Sequence, residues 1–97
     1  MRHVFHPAAE AEHLEHVAFY ESRQAGLGAR YLDEIEAAIA LICGAPKRFP
    51  VEHEPGLRRL HLRQFPMTLI FREVDGEVQI LAVAHKRRRP AYWMRRT

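Results

Sequence analysis

The clearest periodic pattern in the sequence lies between residues 28 and 42. Apolar or small residues recur there at intervals of three and four positions: Gly28, Tyr31, Leu32, Ile35, Ala38, Ile39 and Ile42. This spacing places them on one side of an α-helix, with Asp33, Glu36 and Ala40 on the other side. Gly44 and Pro46 follow, and both are typical of helix ends. The pattern predicts a helix whose apolar side packs against a core.

A helix is also predicted upstream, from Pro7 to Arg23. Proline fits the first position of a helix because it has no N–H group to leave unpaired there. Glu10 and Glu12 follow, and carboxylates in the first turns suit the helix dipole. The spacing favours an inward face made of Ala11, Leu14, Val17, Ala18 and Glu21. The glycines of "QAGLG" then break the pattern, so we expect an antiparallel helical hairpin.

The period changes to two in the second half of the chain. In "LRRLHLR", Leu60 and Leu62 alternate with Arg59, His61 and Arg63, so this predicted strand has one apolar and one basic face. The next segments, "FPMTLIFREV" and "EVQILAVAH", predict two more strands. They are separated by an Asp-Gly pair at positions 75 and 76, which is typical of a two-residue hairpin turn.

The remaining segments complete the predicted fold. "RHVFH" near the N-terminus predicts a short first strand, and "APKRFPVEHEPG", with three prolines, predicts a loop. "EVQILAVAH" is apolar enough to lie centrally in the sheet, and "RRRPAYWMRR" follows it outside the sheet because Pro90 disfavours a continuing strand. We therefore expect one domain over residues 1–97, with an α+β fold of order β-α-α-β-β-β. In it, the helical hairpin packs on a small, mostly antiparallel sheet.

Charge is distributed unevenly along the chain. Residues 1–56 hold five Lys and Arg against nine Asp and Glu, a net charge of −4, whereas residues 57–97 hold ten against three, a net charge of +7. Such a division suggests an anionic partner for the second half. The single cysteine excludes an internal disulfide framework. The N-terminal stretch lacks the apolar core of a signal peptide, and no apolar run reaches the ~18–20 residues of a membrane span. We expect a cytoplasmic protein without a membrane partner.

The closing stretch "AHKRRRPAYWMRR" holds six of the fifteen Lys and Arg residues. RNA cleavage without a metal needs a base, an acid and cations around one phosphate, and His, Tyr and Arg can fill these roles. The candidates for a nuclease site are His85, Arg87, Tyr92, Arg59 and His61. As an alternative, Tyr92 and Trp93 pack this segment against the helices while the arginines meet solvent or a partner's carboxylates. The candidates for such a binding surface are Arg59, Arg63, Arg87, Arg88, Arg89, Tyr92, Trp93 and Arg95.

Other kinds of site have little support in the sequence. His13 and His16 are three residues apart on the first helix, but the order H-x-E-H matches no common zinc motif. With Ala11, Leu14 and Val17 facing inward, His16 points roughly opposite the core face and His13 lies near its edge. We therefore expect a solvated helix surface and predict no metal site. Cys43 is expected to be a core thiol. Motifs for nucleotide cofactors and for serine hydrolases are absent, and we predict no cofactor.

Three segments together resemble the ParE/RelE superfamily of toxins from bacterial type II toxin–antitoxin pairs. They are the F-x-P-x-A pattern starting at Phe5, "FPMTLIFRE" and "ILAVAHKRRRPAYWMRR". The resemblance covers nearly the whole chain, and "AHKRRRPAYW" is similar to the H-x-R-R-x-P-x-x-W ending of the ParE-like branch. It implies the β-α-α-β-β-β fold. It also implies a toxin held inactive by an antitoxin with a flexible, acidic segment, which suits a surface of positive charge.

The two branches of the superfamily differ in target. RelE-like members cut mRNA on the ribosome, whereas ParE-like members poison DNA gyrase. RelE-like nucleases carry lysines before the second strand and an arginine where the third begins; this chain has "VEHEPG" and then Met67 and Thr68. The resemblance therefore implies a growth-inhibiting, plasmid-stabilising gyrase toxin. Because His85, Arg87 and Tyr92 lie near positions that nucleases use, a ribosome-dependent mRNA interferase is the alternative. A third possibility is a non-toxic relative that binds its partner or regulates its operon.

Overall fold

Two helices and five strands follow one another in the computed structural model, which describes all 97 residues. Their bounds are β1 Arg2–Phe5, α1 Pro7–Arg23, α2 Leu27–Gly44, β2 Val51–His53, β3 Leu57–His61, β4 Met67–Val74 and β5 Glu77–His85. Short 3₁₀ turns lie at Pro46–Arg48 and Met94–Arg96. The residues after β5, 86–97, form the tail. No helix combines the length and the apolar character that crossing a membrane requires.

The five strands form one sheet in the order β1-β5-β4-β3-β2. β1 pairs with β5 in parallel, and the other three pairs are antiparallel. β5 is thus paired on both sides, as its apolar sequence predicts. The predicted α+β fold, with a helical hairpin on a mostly antiparallel sheet, is confirmed, and it gains one strand.

The added strand is β2, which lies in the segment predicted to be a loop. Val51 pairs with Arg58 and His53 pairs with Leu57, with a register shift between them. β2 has only three residues, all exposed, at the edge of the sheet. A strand this short shows no readable alternation, and prolines flank it at positions 50 and 55. β2 is therefore recognised as a strand only from its pairing with β3 in the structure.

The hairpin between β4 and β5 turns at Asp75 and Gly76, as predicted. Both residues have positive φ angles, 53° and 75°. A two-residue turn with positive φ at both central positions matches the right-handed twist of the flanking strands, and Asp-Gly is among its preferred sequences. The hairpin aligns Met67 with His85 at the other end of the two strands.

The main core lies between α2 and one face of the sheet. The predicted stripe on α2 is confirmed, because all of its members are buried except Leu32, which is half-buried. From the sheet, the fully buried contributors to this core are Leu69, Phe71, Val78, Ile80 and Val83. Cys43 is half-buried and packs against the same cluster.

The prediction for the inward face of α1 is wrong. Leu14 is 61 % exposed, and of the predicted set only Val17 is half-buried. The buried residues of α1 are Ala9 and Glu12, with His13, His16 and Tyr20 half-buried beside them. Polar side chains therefore occupy the inward face of α1. Two of them, Glu12 and His16, bind the edge of β5.

A second, smaller core covers the opposite face of the sheet. It contains Leu57, Ile70, Leu81, Ala82 and Trp93. A β-bulge lies at Leu81, since Ile70 pairs with Ala82 and Phe71 pairs with Ile80. Trp93, only 4 % exposed, covers these residues. The tail is thus anchored on the face of the sheet away from the helices, which corrects the expectation that Trp93 packs against them.

The two helices approach closely at Gly28. A Cβ atom there would lie 2.8 Å from the carbonyl oxygen of Val17 and 2.9 Å from Oε1 of Glu21. The Glu21 carboxylate also accepts hydrogen bonds from the N–H groups of Gly26 and Gly28, at 3.0 Å each. These N–H groups at the start of α2 have no partner within the helix, so Glu21 of α1 takes the place of a capping side chain.

Candidate functional site

The tail is attached to α1 through the Glu12 carboxylate. Tyr92 donates its hydroxyl hydrogen to Oε2 at 2.6 Å, and Arg96 donates to Oε1 and Oε2 at 3.0 and 2.9 Å. The backbone N–H of Val83 donates to Oε1 at 3.0 Å. Glu12 is 8 % exposed, so these four hydrogen bonds offset the cost of burying a charge.

The same side chains complete the open edge of β5. β1 pairs with β5 only as far as Ile80, whose oxygen accepts the N–H of His6 at 2.8 Å. Beyond it, Arg96 donates to the Leu81 oxygen at 3.0 Å, and Nε2 of His16 binds the Val83 oxygen at 3.0 Å. A carbonyl oxygen only accepts, so His16 carries its proton on Nε2. His16 is therefore a structural residue of the interior, and the expectation that it faces solvent is wrong.

Burial and hydrogen bonding set the protonation states of this cluster. Burial alone favours a neutral Glu12, but the hydrogen bonds from Arg96, Tyr92 and Val83 together outweigh it and lower the Glu12 pKa. Burial, followed by the bond to Glu12, raises the pKa of Tyr92 well above that of free tyrosine. The bond to Glu12 also raises the pKa of Arg96. Glu12 is thus a carboxylate at neutral pH, and Tyr92 keeps its proton.

A shallow cleft of about 240 Å³ lies beside the tail, where β3, β4 and β5 end. Its cationic residues are Lys86, Arg88 and Arg89, and its other polar lining comes from His61, Thr68, His85 and Glu52. We call it the tail cleft. The alternation in β3 and the register of the β4–β5 hairpin place side chains of three strands around one depression.

Both histidines of the tail cleft use Nδ1 for internal hydrogen bonds. Nδ1 of His61 lies 2.6 Å from the Thr68 hydroxyl oxygen. Nδ1 of His85 accepts the backbone N–H of Arg87 at 3.0 Å, so the neutral ring carries its proton on Nε2. Partial burial lowers the pKa of His85, and the charge of Arg87 acts in the same direction. His85 is therefore mostly neutral at pH 7 and offers one N–H donor.

The structure gathers some of the predicted site residues and separates others. His61, His85, Arg88, Arg89 and Tyr92 all line the tail cleft. The Arg88 guanidinium carbon lies 3.9 Å from the centroid of the Tyr92 ring. Trp93 borders the tail cleft but is buried in the second core.

The other predicted residues lie outside the tail cleft. Arg59 forms an ion pair at 3.3 Å with Glu52, which itself lines the cleft. Arg63 lies in the β3–β4 connection beside α2, where its backbone N–H binds Glu34. Arg87 and Arg95 are exposed and do not line the cleft.

Several residues of the site lie outside the predicted set, among them Glu12, Lys86 and Arg96. Lys86 directly precedes Arg87, Arg88 and Arg89, so the same basic run that pointed to these arginines also points to Lys86. Glu12 was assigned only a role in the helix dipole, and its actual partners lie 71 to 84 residues away. No local pattern signals such a contact. The one available signal is an acidic residue on the same helix face as His13 and His16, which become half-buried.

His13 differs from its prediction as well. It stacks on Phe5 with ring centroids 5.4 Å apart, and its buried Nδ1 has no hydrogen-bond partner in the chain. Burial lowers its pKa, and the neighbouring His16 adds to this shift. No group of three or more His, Cys, Asp or Glu side chains is placed to hold a metal ion.

Comparison with known proteins agrees with this architecture. Residues 4–90 match the family model for the "ParE toxin of type II toxin-antitoxin system, parDE". The fold is similar to a solved structure titled "Chromosomal ParDE TA system from P. aeruginosa". The TM-score is 0.73 and the identity 21 %, with 88 % of this chain and 95 % of that chain covered. None of the curated sequences compared with the chain matches it significantly. Since the family model spans most of its length, the chain belongs to the ParE toxin family of type II toxin–antitoxin systems.

Proposed function

We propose that this ParE-family chain is a toxin that inhibits DNA gyrase in the cytoplasm, that a cognate antitoxin neutralises it, and that it does not cleave RNA. The pair would stabilise the plasmid or chromosomal segment that carries it. Family membership supports a toxin with an antitoxin partner. The gyrase target rests on the resemblance to the ParE-like branch, and the absence of RNA cleavage draws its support from the chemistry of the tail.

The observation that carries the proposal is the state of Tyr92. A general acid in RNA cleavage must deliver its proton to the leaving oxygen. The Tyr92 proton is instead donated to Glu12, 2.6 Å away, and burial raises the pKa of its hydroxyl. Tyr92 is therefore unsuited to act as the general acid of a nuclease site. This favours a tail that binds a partner over one that cleaves RNA.

The antitoxin interface we propose combines charge with apolar area. Arg87, Arg88 and Arg89 project from one short exposed segment and suit an acidic partner. On the helical hairpin, Leu14, Phe19 and Leu41 are more than half exposed. A flexible antitoxin segment that folds on binding needs such apolar area, because its burial offsets the ordering entropy.

The decisive experiment compares two targets with the same preparations. Free protein is added to gyrase with ATP and plasmid, and separately to translating ribosomes whose mRNA is then mapped by primer extension. The variants are His85→Ala and Tyr92→Phe, with His3→Ala, an exposed histidine outside the cleft, as the control. We expect an increase in cleaved plasmid DNA and intact mRNA.

Ribosome-dependent mRNA cleavage is the second candidate function, because His61, His85 and Arg88 line one cleft. Discrete mRNA breaks made by the wild type, lost in both variants and retained in the control, would establish this function and refute the gyrase proposal. Inactivity in both assays, together with tight binding of the antitoxin, would identify a non-toxic relative.

A further inference from the structure

Three cations of the tail are held on one face of a fixed turn. Lys86, Arg88 and Arg89 line the tail cleft, and its one carboxylate, that of Glu52, is paired with Arg59 at 3.3 Å. The cleft therefore keeps a positive charge that the chain itself does not neutralise. Such a concentration of like charge is costly for the isolated protein and is typical of a site for an anion.

The backbone that carries these cations is fixed by its hydrogen bonds and by the second core. Lys86 donates its N–H to the oxygen of Pro66, and Arg88 donates to that of His85, both at 2.9 Å. Trp93, a few residues on, is buried. Because the backbone of this turn is already in place, an anion binds without ordering it, which lowers the entropic cost of binding.

Neutral donors complete the lining. The neutral ring of His85 has its Nε2–H group free of internal bonds, because Nδ1 accepts the N–H of Arg87. The Thr68 hydroxyl and His61 form a second polar pair, 2.6 Å apart, in the same cleft. The donors thus comprise guanidinium, ammonium and imidazole groups around one open depression. Guanidinium groups in particular make two-point hydrogen bonds to phosphate oxygens.

We propose that the tail cleft binds the phosphodiester backbone of a nucleic-acid strand and does not cleave it. The inference goes beyond the proposed function, since it requires neither gyrase nor antitoxin. An acidic peptide is the less suitable occupant of the cleft itself, even though the exposed arginines of the tail can steer an acidic antitoxin toward the helical hairpin. A flexible peptide needs apolar area to bury on folding, and the large apolar residues of the lining, Ile70 and Trp93, are already buried in the second core.

Binding is measured by fluorescence anisotropy with the full-length chain and a short labelled single-stranded DNA, over a range of salt concentrations. Each phosphate contact contributes a slope of about −0.7 to log K against log salt for single strands. The variant Lys86→Gln/Arg88→Gln/Arg89→Gln should therefore flatten the slope by about 2 and weaken binding about 100-fold at ~0.1 M salt.

The matched control is Arg30→Gln/Lys47→Gln/Arg48→Gln, which removes the same charge from exposed residues that do not line the tail cleft. We expect it to keep the wild-type slope. Equal weakening in the two triple variants would show that only net charge matters and would overturn the inference. Thermal melting establishes that both variants fold. The single variant His85→Phe tests a neutral donor and should weaken binding with no change in slope.

Further arms identify the ligand. A labelled RNA of the same sequence that binds equally well supports recognition of the phosphate backbone, and a many-fold difference between RNA and DNA would overturn it in favour of recognition of the sugars or bases. Polyphosphate should displace the DNA at lower charge concentration than polyglutamate; the reverse order would point to an acidic peptide. The DNA should remain intact on a denaturing gel, and cleavage would refute simple binding.

Absence of DNA binding with gyrase inhibition intact refutes this inference alone, whereas DNA binding without gyrase inhibition refutes the proposed function alone.

Discussion

Glu12 on α1 and Arg96 near the C-terminus form a two-point ion pair, with N–O distances of 3.0 and 2.9 Å. They are 84 residues apart in the sequence, and their side chains are only 11 % and 16 % exposed. The same carboxylate accepts the Tyr92 hydroxyl and the Val83 N–H. One side chain of α1 therefore connects the tail, the edge of β5 and the helical hairpin.

Removal of this carboxylate should destabilise the fold. We expect Glu12→Ala to lower the free energy of unfolding by about 2–3 kcal/mol, since three donors lose a charged acceptor and Arg96 can only partly turn to solvent. Urea denaturation measures the change, and a double-mutant cycle with Arg96→Ala isolates the pair. Glu15→Ala, on the exposed side of the same helix, is the control and should change stability by less than ~0.5 kcal/mol. A Glu12→Ala variant as stable as this control would show that the cluster contributes nothing.

The lowered pKa of Glu12 makes its contribution dependent on pH. A carboxylate that is more acidic in the folded than in the unfolded state stabilises the fold fully above its unfolded pKa, near 4.5. This stabilisation decreases as pH falls below that value and is lost once pH passes the folded-state pKa. The difference in unfolding free energy between wild type and Glu12→Gln should therefore be constant from pH 6 to about pH 5 and shrink in more acidic buffer. A difference that stays constant at acidic pH would contradict a lowered pKa.

The elements that the sequence predicted correctly have strong local signals. The α2 stripe repeats over four turns, and the Asp75–Gly76 turn specifies a hairpin by its own backbone preferences. Family resemblance and local pattern both depend on residues close together in the chain. They therefore also located the cationic tail and His85.

The failures have a common physical cause, which is hydrogen bonding between distant segments. The hydrophobic pattern of α1 assigned Leu14 to the interior because it assumes that buried faces are apolar. Instead, the edge of β5 beyond Ile80 leaves backbone groups that need partners, and Glu12 and His16 provide them. α1 does have an apolar side, which includes Leu14, but that side faces solvent. The position of Trp93 on the far face of the sheet likewise depends on contacts with distant residues such as Leu57 and Ile70, which no local pattern reveals.

The close approach of the helices predicts the effect of a single methyl group. Gly28→Ala should lower stability by about 1–3 kcal/mol, because its Cβ would lie 2.8 Å from the backbone oxygen of Val17, which cannot move without α1. Gly44→Ala is the matched control in the same helix, since nothing lies within 4 Å of its added Cβ. That change should be neutral or raise stability by up to about 1 kcal/mol. Equal thermal midpoints for the two variants would disprove the tight contact.

The stripe on α2 predicts that two residues of the same helix contribute very differently to stability. Ile35 is almost fully buried in the main core, so Ile35→Ala should cost roughly 2–5 kcal/mol and lower Tm by about 8 °C or more. Leu41→Ala, in the same helix, removes a side chain that is more than half exposed and should change stability by less than ~0.5 kcal/mol. Calorimetry on both variants checks the assignment. A Tm for Ile35→Ala close to that of Leu41→Ala would remove this face of α2 from the core.

The charge of the tail predicts how the antitoxin associates. Replacing Arg87, Arg88 and Arg89 together by Ala should slow association with the cognate antitoxin, because attraction between opposite charges accelerates the encounter of the partners. The dissociation rate should change less, since exposed side chains at the rim of an interface contribute little to its lifetime. Surface plasmon resonance at low and high salt separates the two rates. The wild type should lose most of its advantage at ~1 M salt, where the screening length falls to ~3 Å.

The triple variant Arg30→Gln/Lys47→Gln/Arg48→Gln again controls for net charge. If the tail itself steers the antitoxin, this control should associate at nearly the wild-type rate at every salt concentration. Slowing equal to that of the tail variant would attribute the effect to the overall charge of the protein. Association rates that are identical for wild type and tail variant at low salt would refute electrostatic steering altogether. The antitoxin would then have to be held by the apolar area on the helical hairpin, where Leu14→Ser and Phe19→Ser should raise its dissociation rate instead.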